Sequence, residues 1–327
     1  MPEVASPKIA VRVPMPVEVR ARLEAAYPEA RFIYCPGDEG LDEHIDEVEA
    51  FIGSLGLTAE TVRRAPKLRW VQVLGVGIEK FMDPCLIERK VQVANARGVN
   101  VANLAEHAIA MMLAFARGLP ELQRRQMRHA WLPGNGPMLP KLSELNGTRL
   151  GLIGYGEISR EIARRAKALD MDVWAMRRTP GSGPDAYASR ILPPEALNEL
   201  IEAVDHLLLI VPLTDETHGL IGAPQLARMK PSAYLYNMGR GGLVDQDALI
   251  AALRDGRIAG AGLDTTTPEP LPADSPLWDM ENVIITAHTA GNTPRFFDRI
   301  VDLLVEQLAR FRANEPLKKT VDLEAGY

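Results

Sequence analysis

Two series of short apolar stretches run along this chain, each stretch separated from the next by a segment with helical spacing. In the first series 8–13, 31–34, 48–52, 70–74 and 91–94 are rich in Val, Ile and aromatic residues, a pattern that predicts short buried strands. Residues 17–27 and 58–65 read as helices between them, so the unit is expected to be a parallel α/β sheet. A longer helical pattern over 101–118 leads out of it, and its Met111, Met112 and Leu113 read as helix core. The second series places strands at 150–153 and near 171–176, 206–211, 233–237, 258–263 and 283–286, with a final helix over 293–313. The tail after that helix can return to the first sheet. The expected division is therefore 1–100 with 291–327 as one domain and 101–290 as an inserted second. Residues 118–147 are polar, Arg-rich and punctuated by Pro133, Gly134, Gly136, Pro137 and Pro140, and are expected to form an arm that leaves the compact body.

A length of 327 residues exceeds what one core comfortably fills, which agrees with two domains. The net charge of −6 and the lack of a Lys/Arg-rich block argue against nucleic acid or an anionic membrane as partner. Cys35 and Cys85 have no metal-type spacing and suit a reducing cytoplasm; no metal is expected. The start lacks a basic and apolar leader and no apolar run approaches membrane-spanning length, so neither secretion nor membrane insertion is expected.

The chemistry begins at Leu150-Gly-Leu-Ile-Gly154-Tyr-Gly156, an apolar strand entering two glycines and then a helix-forming segment. Gly154 allows a tight turn and Gly156 lets backbone approach a pyrophosphate at the positive end of the helix. Ser159 stands where a third glycine is usual. An acidic ribose ligand is expected about 20 residues on; instead the end of the second strand carries Arg177 and Arg178, 23 residues past Gly154 (177 − 154). Two guanidiniums there would attract a 2′-phosphate, so NADP is the preferred cofactor, with NAD possible. Asp170 and Asp172 lie at the wrong end of that strand to meet the ribose.

Three further segments each follow an apolar strand and so converge on the sheet edge where ligands bind: 237–245 with Arg240, 262–271 with Asp264 and Glu269, and 282–293 with His288. Arg240 can bind a substrate carboxylate and polarise a carbonyl, while His288 can donate a proton as hydride arrives. Glu269, if it contacts His288, would favour the imidazolium. This is the equipment for reducing a 2-oxo acid. His107 and His206 are read as structural.

With these residues in place the chain resembles the D-isomer-specific 2-hydroxyacid dehydrogenases over nearly its whole length. The shared segments are 74–77, Ala105-Glu-His107, the glycine turn, 211–214, Arg240-Gly-Gly-Leu-Val-Asp245, Gly262-Leu-Asp264 with Glu269, and His288 in a T-x-H-x-A-G setting. The resemblance implies a Rossmann cofactor domain inserted in a flavodoxin-like substrate domain. It further implies that the backbone amides of Val76 and Gly77 hold the substrate carboxylate, that Asp264 meets the nicotinamide amide, and that Glu157, Ile158, Val211 and Pro212 join the cofactor contacts. The arginine pair is similar to that of NADPH-preferring glyoxylate/hydroxypyruvate reductases, and the family's usual assembly is a homodimer through the cofactor domain. Departures are Ser159, Ala287 in place of proline, Glu79-Lys80, and Gly53 where several members carry a basic residue; the last argues against strongly anionic substrates. A dinucleotide-sensing binding protein on the same fold is the alternative, and the intact Arg240, Glu269 and His288 favour the enzyme. The substrate pocket is expected to draw on loops near Ser54, Phe81 and Trp131; Trp131 can cover that pocket or pack a subunit interface, and interface packing is the preferred reading.

Overall fold

A computed structural model describes residues 6–36, 40–53, 58–78, 84–131, 142–179 and 184–323. The chain divides into two units, one built from Met1–Val99 with Thr293–Tyr327 and the other from Asn100–Asn292.

In the first unit the elements are β1 (Lys8–Val11), α1 (Val17–Ala26), β2 (Arg31–Tyr34), β3 (Val48–Ile52), α2 (Ala59–Arg64), β4 (Trp70–Gln72), α3 (Pro84–Glu88) and β5 (Gln92–Ala94). The five strands are parallel in the order β2-β1-β3-β4-β5, the flavodoxin-like arrangement. Alternation along each strand sends neighbours to opposite faces. Ile9, Val11, Ile52 and Trp70 pack on one side against residues such as Leu304 and Leu308, and Ala10, Phe51 and Val71 pack on the other with Val62 and Leu86.

The second unit holds α4 (Val101–Ala116), α5 (Leu119–Met127), β6 (Arg149–Ile153), α6 (Glu157–Ala168), β7 (Asp172–Met176), β8 (Arg190–Leu192), α7 (Leu197–Ala203), β9 (His206–Leu209), α8 (Ala223–Leu226), β10 (Tyr234–Asn237), α9 (Gln246–Arg254), β11 (Gly260–Leu263) and β12 (Val283–Ile285). Its seven strands are parallel in the order β12-β11-β10-β9-β6-β7-β8. The chain starts in the middle at β6, runs outward to β8, then crosses to β9 and runs the other way, which leaves a switch point between β6 and β9. Leu150 and Leu152 face α4 and α6, and Ile153, Leu207 and Leu209 face α7 and α9.

The helix α10 (Phe296–Arg312) belongs to the first unit, burying Ile300, Val301, Leu304 and Leu308 there. Behind it the tail does return to the first sheet. Thr320 bridges antiparallel to Ala94, Val321 N–H donates to the Val93 carbonyl at 2.8 Å, and the fully buried Gln307 accepts from Lys318 N–H at 2.9 Å and donates to its carbonyl at 2.7 Å.

Among the described residues α3, α5 and β8 were not anticipated. β8 is only three residues long and lacks a distinctive run. Within the expected arm, Gly118 at φ 61° opens the nine-residue helix α5, favoured by its Leu, Glu, Gln, Arg and Met content. Residues 132–141 of that arm lie outside the described residues. Among the described residues no helix is long and apolar enough to cross a membrane.

His206 is buried in the second sheet between the rings of Tyr234 and Tyr236, whose centroids lie 5.8 and 5.9 Å away. Burial lowers its pKa from 6.5 to about 4, against the opposing pull of Asp205. The ring is therefore neutral at pH 7, and its Nδ1 lies 3.0 Å from Tyr236 Oη. Below pH 6.5 the unfolded chain takes up a proton that the folded chain refuses until about pH 4, so stability falls as the pH drops through that window and levels off beneath it. The expected contribution lost is about 3 kcal/mol. Urea unfolding from pH 7 to pH 4 measures it, and His206→Phe should flatten the curve; equal slopes in the two proteins would refute the assignment.

Candidate active site

The glycine turn occupies the C-terminal end of β6 at the switch point. Gly154 has φ 94°, and a Cβ there would lie 2.6 Å from Val211 Cγ1 and 2.7 Å from the Ile210 carbonyl oxygen, so no other residue fits. Gly156 caps α6, and the space where its Cβ would project is open, leaving room for an anion at the positive helix end. Glu157 stands in the first helical turn, and Ile158 packs partly into the core. Ser159 is buried against that core with its Oγ lacking a hydrogen-bond partner, so it fills the third-glycine position as a small packing residue. Val211 borders the turn, and the Pro212 carbonyl accepts from Thr217 Oγ1 at 2.7 Å.

Arg177 and Arg178 follow β7 directly. Arg177 is half-buried, with its Nε buried and without a hydrogen-bond partner; Arg178 is exposed. Beyond them Asp185 accepts from Tyr155 Oη at 2.8 Å, from Arg160 Nη1 at 2.5 Å, and from the amides of Tyr187 and Ala188. Desolvation opposes the ionised form of Asp185, but the two amides, the phenol and Arg160 outweigh it and hold its pKa below the ordinary value. Burial, then the Asp185 contact, raises the pKa of Tyr155, which stays protonated as the donor. The residues after the second strand are thereby tied to the glycine turn itself.

All three catalytic-type loops leave the same C-terminal edge of this parallel sheet. Asn237, buried at the end of β10, donates from Nδ2 to the Arg240 carbonyl at 2.8 Å and accepts from Gly239 N–H at 3.2 Å. That pair shapes the turn from which Arg240 projects, its Nη1 donating to the Gly239 carbonyl at 2.8 Å. Next in sequence, Gly241 lies so close to the Thr266 carbonyl that a Cβ would stand 1.9 Å from its oxygen. Close contact between the Arg240 and Glu269 loops thus requires glycine.

The Glu269 loop is held from both ends. Gln246, at the start of α9, donates to the Thr267 carbonyl at 2.6 Å and accepts from Thr267 N–H at 3.0 Å. Glu269 Oε1 accepts from Thr266 N–H at 3.2 Å, and Oε2 lies 2.8 Å from His288 Nδ1. Both His288 and Glu269 remain open to solvent, with 48% and 38% of their side chains exposed. The loop carrying His288 follows β12 and is unusual, because Ala287 and His288 adopt left-handed φ values of 47° and 55° in succession. Asp264, buried, closes it with its own carbonyl, which accepts from His288 N–H at 2.6 Å.

The structure therefore brings Glu269 to His288 directly, with Arg240 on the adjoining loop. In the other unit Val76 is exposed, Gly77 half-buried, and the Val76 carbonyl accepts from Asn95 Nδ2 at 3.0 Å. The stretches Ser54, Glu79-Lys80 and Phe81 lie outside the described residues. His206 is structural, but His107, grouped with it on sequence, reaches Thr286 Oγ1 at 3.0 Å. Asn237 and Gln246 were also missed; their only sequence signal is a position beside Arg240 or at the start of a helix after Asp245.

The sequence model of the D-isomer specific 2-hydroxyacid dehydrogenase NAD binding domain matches residues 109–290. The chain belongs to this family. As a 2-hydroxyacid dehydrogenase family member it is an oxidoreductase, and its inserted unit is the NAD binding domain. It is 35% identical over 285 residues to the glyoxylate reductase of Korarchaeum cryptofilum, covering 86% of this chain and 84% of that one. Among solved structures it is similar to a D-isomer specific 2-hydroxyacid dehydrogenase from Xanthobacter autotrophicus in complex with NADPH and MES, at TM-score 0.82 and 30% identity, covering 99% of this chain and 100% of the other. An NADPH-dependent glyoxylate/hydroxypyruvate reductase from Sinorhizobium meliloti in complex with citrate superposes with TM-score 0.82 at 29% identity over 97% and 98% of the two chains.

Proposed function

We propose that this dehydrogenase reduces a small 2-oxo acid of the glyoxylate or hydroxypyruvate type to the D-2-hydroxy acid, preferably with NADPH. The observation that carries the reading is the 2.8 Å contact of His288 Nδ1 with Glu269 on a sheet edge that also presents Arg240. The glycine turn with its open helix end, and the buried Nε of Arg177 without a partner, fit the pyrophosphate and the 2′-phosphate of such a cofactor. When bound, the dinucleotide supplies a hydride to the carbonyl carbon.

The residues do the rest. Glu269 engages Nδ1 and so orients the ring with Nε2 outward, where its proton passes to the carbonyl oxygen as that oxygen gains charge. Glu269 also provides a countercharge while the ring is protonated. Arg240 offers a planar fork for the substrate carboxylate and carbonyl, and within the first unit the backbone amides of Val76 and Gly77 are the proposed carboxylate donors. Cys35 and Cys85, which are not joined in a disulfide, suit a cytoplasmic protein.

Initial rates with NADPH and NADH against glyoxylate, hydroxypyruvate, pyruvate, phenylpyruvate and bulkier 2-oxo acids test the reading. The highest kcat/KM is expected for a small acid with NADPH, and no turnover of any 2-oxo acid would reject it.

We infer further that two copies assemble through the cofactor unit. None of α5 is buried within the chain, and Met127 and Trp131 are 77% and 95% exposed. Covering such side chains in a second copy is the ordinary use of an exposed apolar face. Sedimentation velocity at micromolar concentration is expected to show a dimer, and a monomer would reject this.

A further inference from the structure

Beyond the residues given a chemical role, a chain of hydrogen bonds runs from α4 to the loop of His288. His107 Nε2 lies 3.0 Å from Thr286 Oγ1. Thr286 Oγ1 donates to Asp264 Oδ1 at 2.7 Å. The same oxygen accepts from the amides of Thr289 at 3.0 Å and Ala290 at 3.2 Å. The carboxylate of Asp264 thus ties down both sides of the His288 position, at 286 and at 289–290.

The direction of the first bond follows from proton counting. An ionised carboxylate only accepts, so the single hydroxyl hydrogen of Thr286 points at Asp264 and its lone pair faces the histidine. His107 must then donate, with its proton on Nε2. All of the bonds to the Asp264 side chain fall on Oδ1, and among the described residues none reaches Oδ2.

The backbone held in this way is strained. Two successive non-glycine residues, Ala287 and His288, sit in the left-handed region, and such a conformation persists only where its surroundings over-determine it. Thr286 immediately precedes the pair, and Thr289 immediately follows it. The geometry points to His107 as a positioning residue that, through Thr286 and Asp264, keeps the Ala287-His288 backbone left-handed and so aims the imidazole. This rests on the reading of His288 as the proton donor.

Two matched pairs of variants test it. Thr286→Val keeps the shape of the side chain and removes the hydroxyl, whereas Thr286→Ser keeps the hydroxyl. His107→Leu removes the donor, whereas His107→Gln supplies one from an amide. With saturating NADPH and glyoxylate, Thr286→Val and His107→Leu are each expected to lower kcat on the order of tenfold to a hundredfold, with KM for the acid nearly unchanged, because a misaimed proton donor affects the chemical step. The kinetic isotope effect with NADPH deuterated at the transferred position should rise in both. The double variant should be no worse than the poorer single one, and the Ser and Gln variants should recover most of the rate. Parent-like kcat in both Thr286→Val and His107→Leu, or a loss in Thr286→Ser and His107→Gln as large as in their partners, would overturn the proposal.

A second readout does not need turnover. The imidazole N–H resonance of His288, assigned by its disappearance in His288→Ala, is expected to shift or broaden in Thr286→Val and to be restored in Thr286→Ser. An unchanged resonance in Thr286→Val would overturn the positioning role. If the parent chain itself reduces no 2-oxo acid, the reading of His288 fails, and the resonance still decides whether the relay sets the geometry of the loop.

Discussion

Replacing His288 by alanine is expected to lower kcat for 2-oxo acid reduction by a hundredfold to ten-thousandfold at neutral pH, the range in which a positioned general acid contributes. The affinity for NADPH should be nearly unchanged. The reason is spatial as well as chemical. His288 reaches the sheet edge after β12, and its bond partner is Glu269 on the loop after β11, whereas the glycine turn and the arginine pair follow β6 and β7 on the far side of the switch point. Alanine would remove the proposed proton donor without touching the residues proposed to hold the cofactor. Its smaller side chain also leaves Glu269 Oε1 on the Thr266 amide, so the loop that carries Glu269 keeps its anchor. Steady-state rates paired with fluorescence titration of NADPH separate the two effects. Near-normal turnover would remove His288 from the mechanism, and lost NADPH binding would show that the substitution had disturbed the cofactor unit instead.

The second large effect is expected in cofactor choice. Arg177→Asp removes one guanidinium from the end of β7 and puts a carboxylate where a ribose diol can donate to it. Both changes favour NADH over NADPH. A charge-assisted hydrogen bond contributes roughly 1.5 to 3 kcal/mol, so the ratio of kcat/KM for NADPH to that for NADH should fall about tenfold to a hundredfold. Arg177 is the better of the two targets because its Nε is buried without a partner while Arg178 is exposed. Arg178 lies beside it and on the proposed reading would share the same anion, so the double replacement should move the ratio further than the single one. The contact of Tyr155 with Asp185 keeps the segment after β7 anchored in both variants, which makes the comparison one of charge at a maintained position. An unchanged ratio in both would place the 2′-phosphate elsewhere and leave the pair as an exposed strand end.

Much of this enzyme is written in short-range pattern. Runs such as Leu150–Ile153, His206–Leu209 and Val283–Ile285 are apolar because both faces of a parallel sheet are covered, so alternation with helical segments was enough to read two parallel sheets. Position along a strand also carries chemistry: Gly154, Arg240, Glu269 and His288 each follow an apolar run, and in a parallel sheet every such follower emerges at one edge. Sequence alone determined those things because they depend on periods of two and 3.6 residues and on what comes next in the chain. What depends on residues far apart was decided only by the tertiary structure. His107 meets Thr286 across 179 positions, Gln307 meets Gln72 across 235, and Thr320 finds Ala94 after the chain has built an entire second unit. Gly241 looks like any loop glycine until the Thr266 carbonyl comes to lie where its side chain would be. Even the short β8 strand exists because Arg190, Ile191 and Leu192 have β7 beside them to pair with. No local preference encodes such partners; they are selected by the packing of whole elements, where burial and the pairing of backbone groups outweigh the weak tendencies of single residues.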